Sequence, residues 1–270
     1  TATCIGLSAV KLLKKDKDAT MVVLPSDHFI NQEKLFVDTI KQAVEIAERR
    51  RGLITIGIKP TRPETGYGYI QMGARINGNI PTFKITRFTE KPNLEVAKDF
   101  LIDGNYLWNS GMFVWRADVY LREMQKYLPE MYESLMEIYK SVGSEKEEET
   151  INQQYDLIDG ISVDFGIMQK TRKAYVIKSE FQWDDIGSFS AMGRFFQSYR
   201  GNSIKGKTFL EQSENCFVYG KEKLIIGFGI KDLIVVDAGD VLLVMDKNRD
   251  QEIKHLVNLL KEQNKYNDYL

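Results

Sequence analysis

Two hydrophobic periods alternate along the first part of the chain. The opening stretch TATCIGLSAVKLLKK sets Ile5, Leu7, Ala9, Val10, Leu12 and Leu13 at helical spacing. Thr20-Met21-Val22-Val23-Leu24 is short, apolar and β-branched, the pattern of a buried strand. Pro25 stops that strand, because proline fixes its own φ and cannot donate to a ladder. Residues 32–48 return to helical spacing, with Leu35, Phe36, Ile40, Ala43, Val44 and Ala47 on one face and charges opposite. LITIGI (53–58), TFKITRFTEKP (82–92) and NSGMFVWR (109–116) read as extended segments. Between the last two, NLEVAKDFLIDG (93–104) predicts a helix with Asn93 at its N-cap and Gly104 at C′. Alternation of this kind predicts an α/β fold, a mostly parallel sheet with helices on both faces.

Residues 117–157 are predicted to be largely helical, with the charged run SEKEEET (144–150) as a solvated connection. KAYVIKSEFQW (173–183) reads as strand, followed by a helix from Ile186 to Tyr199. Past YRGNS (199–203) the texture changes to short β runs, CFVYG, KLIIGFGI and DLIVVDAGDVLLVMD, separated by Gly and Asp turns. A closing helix over 249–264 aligns Ile253, Leu256, Val257 and Leu260. The expected domains are therefore 1–202, α/β, and 203–270, a small β domain with a terminal helix. No repeats stand out.

Composition acts mainly by exclusion. Hydrophobic residues at 43% and charged residues at 28% are ordinary for a soluble globular chain. Lys+Arg 37 against Asp+Glu 38 gives a net charge of −1, which argues against a nucleic-acid partner. Cys4 and Cys216 form no metal or redox spacing and are expected to be reduced thiols in a cytoplasmic protein. No stretch approaches the roughly 20 apolar residues of a membrane span, so no membrane partner is expected. The chain begins inside a helical pattern without an initiator methionine, and is expected to be part of a longer product.

Candidate chemistry gathers at predicted strand ends. Asp27, in VVLPSDH, sits just past the carboxyl end of a strand, where open α/β sheets hold ligands. Taken alone, a cap on the following helix, by Asp27 or Asn31, is the simpler expectation. TRPETGYGYI (61–70) packs two glycines between aromatics, either a turn or a close backbone approach to a ligand. In TEKP (89–92), a carboxylate able to accept from two hydroxyls precedes an ammonium able to meet a phosphate; an exposed charged strand end is equally ordinary. LWNSGMF (107–113) interrupts a bulky strand with Asn109 and Gly111, which predicts either a β-bulge or an amide for a polyhydroxyl ligand. FQWDDIGSF (181–189) brings two acids before a helix, one of them a candidate cap. SVDFGIMQK (162–170) starts a helix with Ser162 or Asp164 as its cap. With only His28 and His255, and no Gly-x-Ser-x-Gly, a hydrolase triad finds little support. Two carboxylates converging on one divalent cation suit phosphoryl or nucleotidyl transfer better.

LPSDH, RPETGYGYI, FTEKP, LWNSGMF, SVDFGIMQK and WDDIGSF, in that order, resemble the mannose-1-phosphate guanylyltransferase (GDP-mannose pyrophosphorylase) family. The resemblance runs from residue 1 to the C-terminal helix. It implies a Rossmann-like nucleotidyltransferase sheet and a reaction of mannose 1-phosphate with GTP. Asp27 and Asp185 would hold Mg²⁺, while Gly68, Glu90 and Asn109 would bind mannose hydroxyls. Lys91 would face the sugar phosphate, making Asp27, Lys91 and Asp185 the catalytic set, and His28 would be structural. A homodimer is implied as well, through the C-terminal segment. The glycine-rich start of that family, L-A-G-G-x-G-x-R-x-x-P-x-S, has no counterpart here, so a truncated form is expected. Another hexose 1-phosphate, another nucleotide, or a noncatalytic sugar-nucleotide-binding paralogue remain the alternatives.

Overall fold

The computed structural model describes residues 1–76 and 78–269, without the side chains of 197, 251 and 264. The chain divides into two compact units, Thr1–Trp183 and Asp184–Leu270. That division precedes the boundary near residue 203 suggested by the change in texture.

In the first unit the elements run α1 (Ala2–Lys15), β1 (Thr20–Val23), β2 (Phe29–Ile30), α2 (Glu33–Arg50), β3 (Leu53–Ile58), β4 (Tyr69–Ile76) and β5 (Thr82–Thr89). They continue with α3 (Leu94–Asp103), β6 (Tyr106–Arg116), α4 (Ala117–Tyr127), α5 (Pro129–Ser141), α6 (Glu147–Tyr155), β7 (Ala174–Lys178) and β8 (Trp183–Asp184), the last at the division. Six strands form one sheet in the order β1-β6-β3-β7-β5-β4, and β4 also pairs with the start of β6. From the pairings, β1, β3, β4 and β7 run one way and β5 and β6 the other. The sheet is thus mixed but mostly parallel in strand direction. Its neighbours are mostly antiparallel, because β6 lies between β1 and β3, and β5 between β7 and β4.

Period-two alternation buries both faces of this sheet. Leu53, Leu107, Phe113, Trp115 and Val176 pack with α1, α4 and α5 through Ile5, Val10, Tyr120, Met124 and Leu135. Ile54, Ile56, Trp108, Val114 and Ile177 pack on the opposite face with Ala43, Ile46 and Ala47 of α2 and Phe100 of α3. All six residues of β3 are buried, as a central strand covered on both sides requires. The Asn93 cap is present, its side chain accepting from Val96 N at 2.9 Å, and Gly104 takes φ +71° at the C-cap. The helical region after residue 116 is broken at Leu128–Pro129 and at Gly143 (φ +84°), giving three helices. Part of SEKEEET is accordingly not a loop but the first turn of α6, with Glu147 accepting from Gly143 N at 2.7 Å.

The second unit contains α7 (Phe189–Gly193), β9 (Gln197–Tyr199), β10 (Asn202–Lys205), β11 (Thr208–Glu211), β12 (Phe217–Tyr219) and β13 (Ile225–Phe228). It ends with β14 (Leu233–Asp237), β15 (Leu242–Asp246) and α8 (Ile253–Lys261). β10, β12 and β14 stack in parallel, and so do β11 and β13. Stacked partners such as Ser203, Phe217 and Ile234, or Thr208 and Ile225, are one coil apart in a β-helix. Coils of uneven length, without a fixed sequence period, explain why no repeat stands out in the sequence. Leu210, Cys216, Val218 and Val235 fill the interior. Buried Asn202 donates to the carbonyls of Tyr199 and Ser213 and accepts from Cys216 N.

The predicted helix from Ile186 to Tyr199 is only five residues long. Its remainder enters β9, which pairs with β10 across a two-residue turn with Arg200 at φ +49° and Gly201 at φ +77°. Both turn residues at positive φ match the twist of a hairpin, and Phe196 stacks on Phe217 at 5.5 Å. Tertiary pairing therefore overrides the helical period.

Candidate active site at the strand ends

The site of the first unit is assembled from segments distant in sequence. Gly68 lies just before β4, Glu90 just after β5, Asn109 inside β6, and Asp164 in a π-helical turn spanning Asp164–Met168. Asn109 N donates to Gly68 O at 2.8 Å. A Cβ built on Gly68 would stand 2.6 Å from Glu90 Oε2 and 3.3 Å from Asn109 Cβ. A methyl there would take space the Glu90 carboxylate occupies and would displace it.

The β6 interruption is a bulge: pairing to β3 shifts register between Thr55/Phe113 and Gly57/Asn109. Gly111 adopts φ +71° within it. The bulge turns the Asn109 carboxamide toward two partners, accepting from Thr55 Oγ1 at 2.9 Å and donating to Asp164 Oδ1 at 2.9 Å. It also brings the LPSDH loop alongside. A Gly111 Cβ would lie 3.7 Å from Pro25 Cγ and 3.9 Å from His28 Cε1, the residues flanking Asp27 on either side. Trp183 Nε1 donates to His28 Nδ1 at 3.0 Å, and Tyr67 lies edge-on to both Trp108 and Trp183. One border of the site is therefore aromatic.

Charge in the cluster is concentrated and poorly hydrated. The Glu90 side chain is 9% exposed, and its Oε2 is buried without a hydrogen-bond partner. Burial pushes the Glu90 carboxyl up to about 7; the neighbouring Asp164 charge adds to the rise and Lys91 opposes it. Burial raises Asp164 as well, against the hydrogen bonds it accepts and the Lys91 charge. Lys91 Nζ stands 3.7 Å from Glu90 Oε1 with its side chain 59% exposed, and its backbone is held at φ +46°. A non-glycine residue in the left-handed region is uncommon and collects at functional sites.

Gly68, Glu90, Lys91 and Asn109 thus come together. The simpler reading of Asp27 does not hold. α2 begins at Glu33 with Gln32 as its N-cap and no side-chain cap bond, Asn31 Oδ1 accepts from Gln32 N, and Asp27 stays exposed in the loop before β2. In SVDF the cap is Ser162, whose Oγ accepts from Phe165 N at 3.2 Å, which leaves Asp164 to Asn109. Two cap candidates were visible in the sequence. The π turn that separates their roles was not, and neither was any role for Thr55.

In the second unit, Ser188 caps α7 by accepting from Ala191 N at 3.1 Å, so neither acid of WDDIGSF does. Asp184 pairs with Arg194 and accepts from Ile186 N. Asp185 Oδ1 accepts from Gly187 N at 3.1 Å in a turn where Ile186 is held at φ +47°. A β-branched residue in that conformation is a genuine outlier, kept only where the surroundings over-determine it. Among the described residues, no three His, Cys, Asp or Glu side chains are grouped to hold a metal ion.

Two family models match successive parts of the chain. The model of the family described as nucleotidyl transferase matches residues 1–201, and that of the MannoseP isomerase/GMP-like beta-helix domain matches 210–260. A mannose-1-phosphate guanylyltransferase of Klebsiella pneumoniae is 36% identical over the whole chain, which spans 57% of that protein. One from Escherichia coli K12 is 35% identical over 97% of the chain and 56% of its own length. The chain thus spans somewhat over half the length of these curated relatives. A crystal structure described as a mannose-1-phosphate geranyltransferase from Thermus thermophilus superposes with a TM-score of 0.83 at 29% identity, covering 97% of this chain and 75% of that one. With the family model covering residues 1–201 and curated relatives matching the whole chain, this chain belongs to the nucleotidyl transferase family.

Proposed function

We propose that the protein is a Mg²⁺-dependent nucleotidyltransferase that joins mannose 1-phosphate to GTP, giving GDP-mannose and pyrophosphate. Glu90 carries this reading. A carboxylate oxygen that is buried and unpartnered calls for donors from outside the chain, and hexose hydroxyls supply them. Asn109 retains one N–H and one lone pair for the same ring, Gly68 lets it come close, and Lys91 offers a point charge to the phosphate. The named relatives support mannose as the hexose and guanosine as the nucleoside.

A sugar phosphate is already an anion at neutral pH. Its oxygen attacks the α-phosphorus of the nucleotide, the bond to the β-phosphate breaks, and pyrophosphate leaves with the electron pair. No proton has to be removed, so the side chains act by orientation and charge rather than as bases. Asp27 and Asp185 are the proposed Mg²⁺ ligands. Their donor chemistry fits: Mg²⁺ takes hard oxygen ligands, commonly one or two carboxylates, with water and phosphate oxygens completing the set. Bound there, the ion would neutralise charge building on the phosphates. The proposal includes a cytoplasmic homodimer, for which α8 keeps Leu256 and Leu259 exposed. Among the described residues, no helix is long and apolar enough to cross a membrane.

Pyrophosphate release from a panel of hexose 1-phosphates, each paired with GTP, UTP, dTTP and ATP, tests the assignment. Mannose 1-phosphate with GTP should turn over fastest. Preference for another pair would reassign the substrate, and no turnover with any pair would remove the enzymatic reading. Gly68→Ala should raise KM for the sugar phosphate about 10-fold, the loss expected when one charged hydrogen bond is displaced. An unchanged KM would mean that Glu90 does not meet the sugar.

A further inference from the structure

The Asn109 carboxamide can sit in its socket in two ways, and the surrounding groups decide between them. Its Oδ1 accepts from Thr55 Oγ1 and its Nδ2 donates to Asp164 Oδ1. The Thr55 hydroxyl also lies 3.1 Å from Met112 O, but it has only one proton to give. Were the amide turned over, Thr55 could accept from Nδ2 and donate to Met112 O, so Thr55 alone tolerates both orientations. Asp164 does not. An ionised carboxylate accepts only, and a reversed amide would set two oxygens against each other.

We infer that Asp164 is a positioning residue that locks the Asn109 amide in one orientation and so fixes which of its groups, donor or acceptor, meets each hydroxyl of the bound sugar. Thr55 serves as its weaker partner. The charged and titratable groups facing Asp164 are Glu90 and Lys91 from the end of β5, Tyr120 of α4, and the amino group of Thr1. The Asp164 charge raises the Glu90 carboxyl, while Lys91 and the Thr1 amino group favour the ionised form of Asp164, the form that accepts from the amide.

This rests on the sugar-phosphate reading, but its first test needs no ligand. In the ligand-free protein, the ¹⁵N resonance of the Asn109 side-chain amide should move with pH, and Asp164→Asn should abolish that movement. Asp164→Asn should also weaken binding of mannose 1-phosphate about 10-fold, as loss of a charged hydrogen bond implies, and narrow its preference over glucose 1-phosphate. Thr55→Val should do so by a smaller factor, while Thr55→Ser, which keeps the hydroxyl, restores the parent value. An Asn109 resonance with the same pH course in Asp164→Asn would overturn the inference. So would unchanged discrimination between the two sugar phosphates in a folded variant. Failure of the parent protein to bind mannose 1-phosphate would count against the substrate instead, and would leave the resonance test to decide the role of Asp164.

Discussion

Replacing Asp27 by Asn should lower kcat roughly 10²- to 10³-fold, the loss typical of one preorganised electrostatic partner. The substitution keeps the shape of the side chain and removes half of the proposed carboxylate pair. Asp27 is exposed, so the fold should be little affected, and Tm should stay close to the parent value. Asp185→Asn should give a loss of similar size. If both acids serve one ion, the two losses do not multiply. The double variant should turn over about as slowly as the worse single one, because residues acting as a unit are strongly non-additive. Steady-state kinetics across a Mg²⁺ titration provides the check. Normal turnover with normal Mg²⁺ dependence in Asp27→Asn would dismiss the metal assignment, and fully multiplicative losses would dismiss a shared ion.

Glu90→Gln should separate stability from function. The Glu90 carboxyl lies near 7 in the folded protein and near 4.5 in a free side chain, so between those values the folded state holds a proton that the unfolded chain has released. Its contribution to stability is therefore fully present below about pH 4.5 and is lost as pH rises through about 7. The total is about 3 kcal/mol for a side chain this well buried. Glutamine does not titrate. At pH 8 the variant should be more stable than the parent by up to that amount, with the advantage gone in mild acid. Urea midpoints measured across this range read the effect directly, and parallel curves for the two proteins would contradict it. At pH 8 the same variant should bind mannose 1-phosphate about 10- to 100-fold more weakly, since hydrogen bonds to a charged group carry roughly 1.5–3 kcal/mol. A stability gain joined to a loss of binding is what a strained, desolvated ligand site predicts.

The polar cluster was visible in the sequence as separate fragments. Asp27, Glu90 and Asp185 lay at predicted strand ends, Gly68 in a turn, Asn109 within a strand and Asp164 at a helix start, and each had an ordinary structural explanation. Asp27 is the instructive case, because on its own stretch a helix cap was the simpler account. The fold removes that account by giving α2 Gln32 as its N-cap and placing the flanking Pro25 and His28 against the β6 bulge. Asp164 moved in the same direction once Ser162 took the cap. The helix expected to reach Tyr199 failed the other way. There the local period was satisfied, yet pairing with β10 and stacking on Phe217 outweighed it.

Patterns that depend on neighbours a few residues away were settled by the sequence itself. β3 as a fully buried strand, α3 with its Asn93 cap and Gly104 end, and the break at Asn109–Gly111 all follow from periodicity and local backbone chemistry. Contacts between distant segments were decided only by the tertiary structure: β6 between β1 and β3, the parallel coils past residue 200, and the meeting of Gly68, Glu90, Asn109 and Asp164. The physical reason is that strand pairing and the raised Glu90 carboxyl depend on groups tens of residues apart in the chain. Burial and charge act across space, and only folding determines which groups become neighbours.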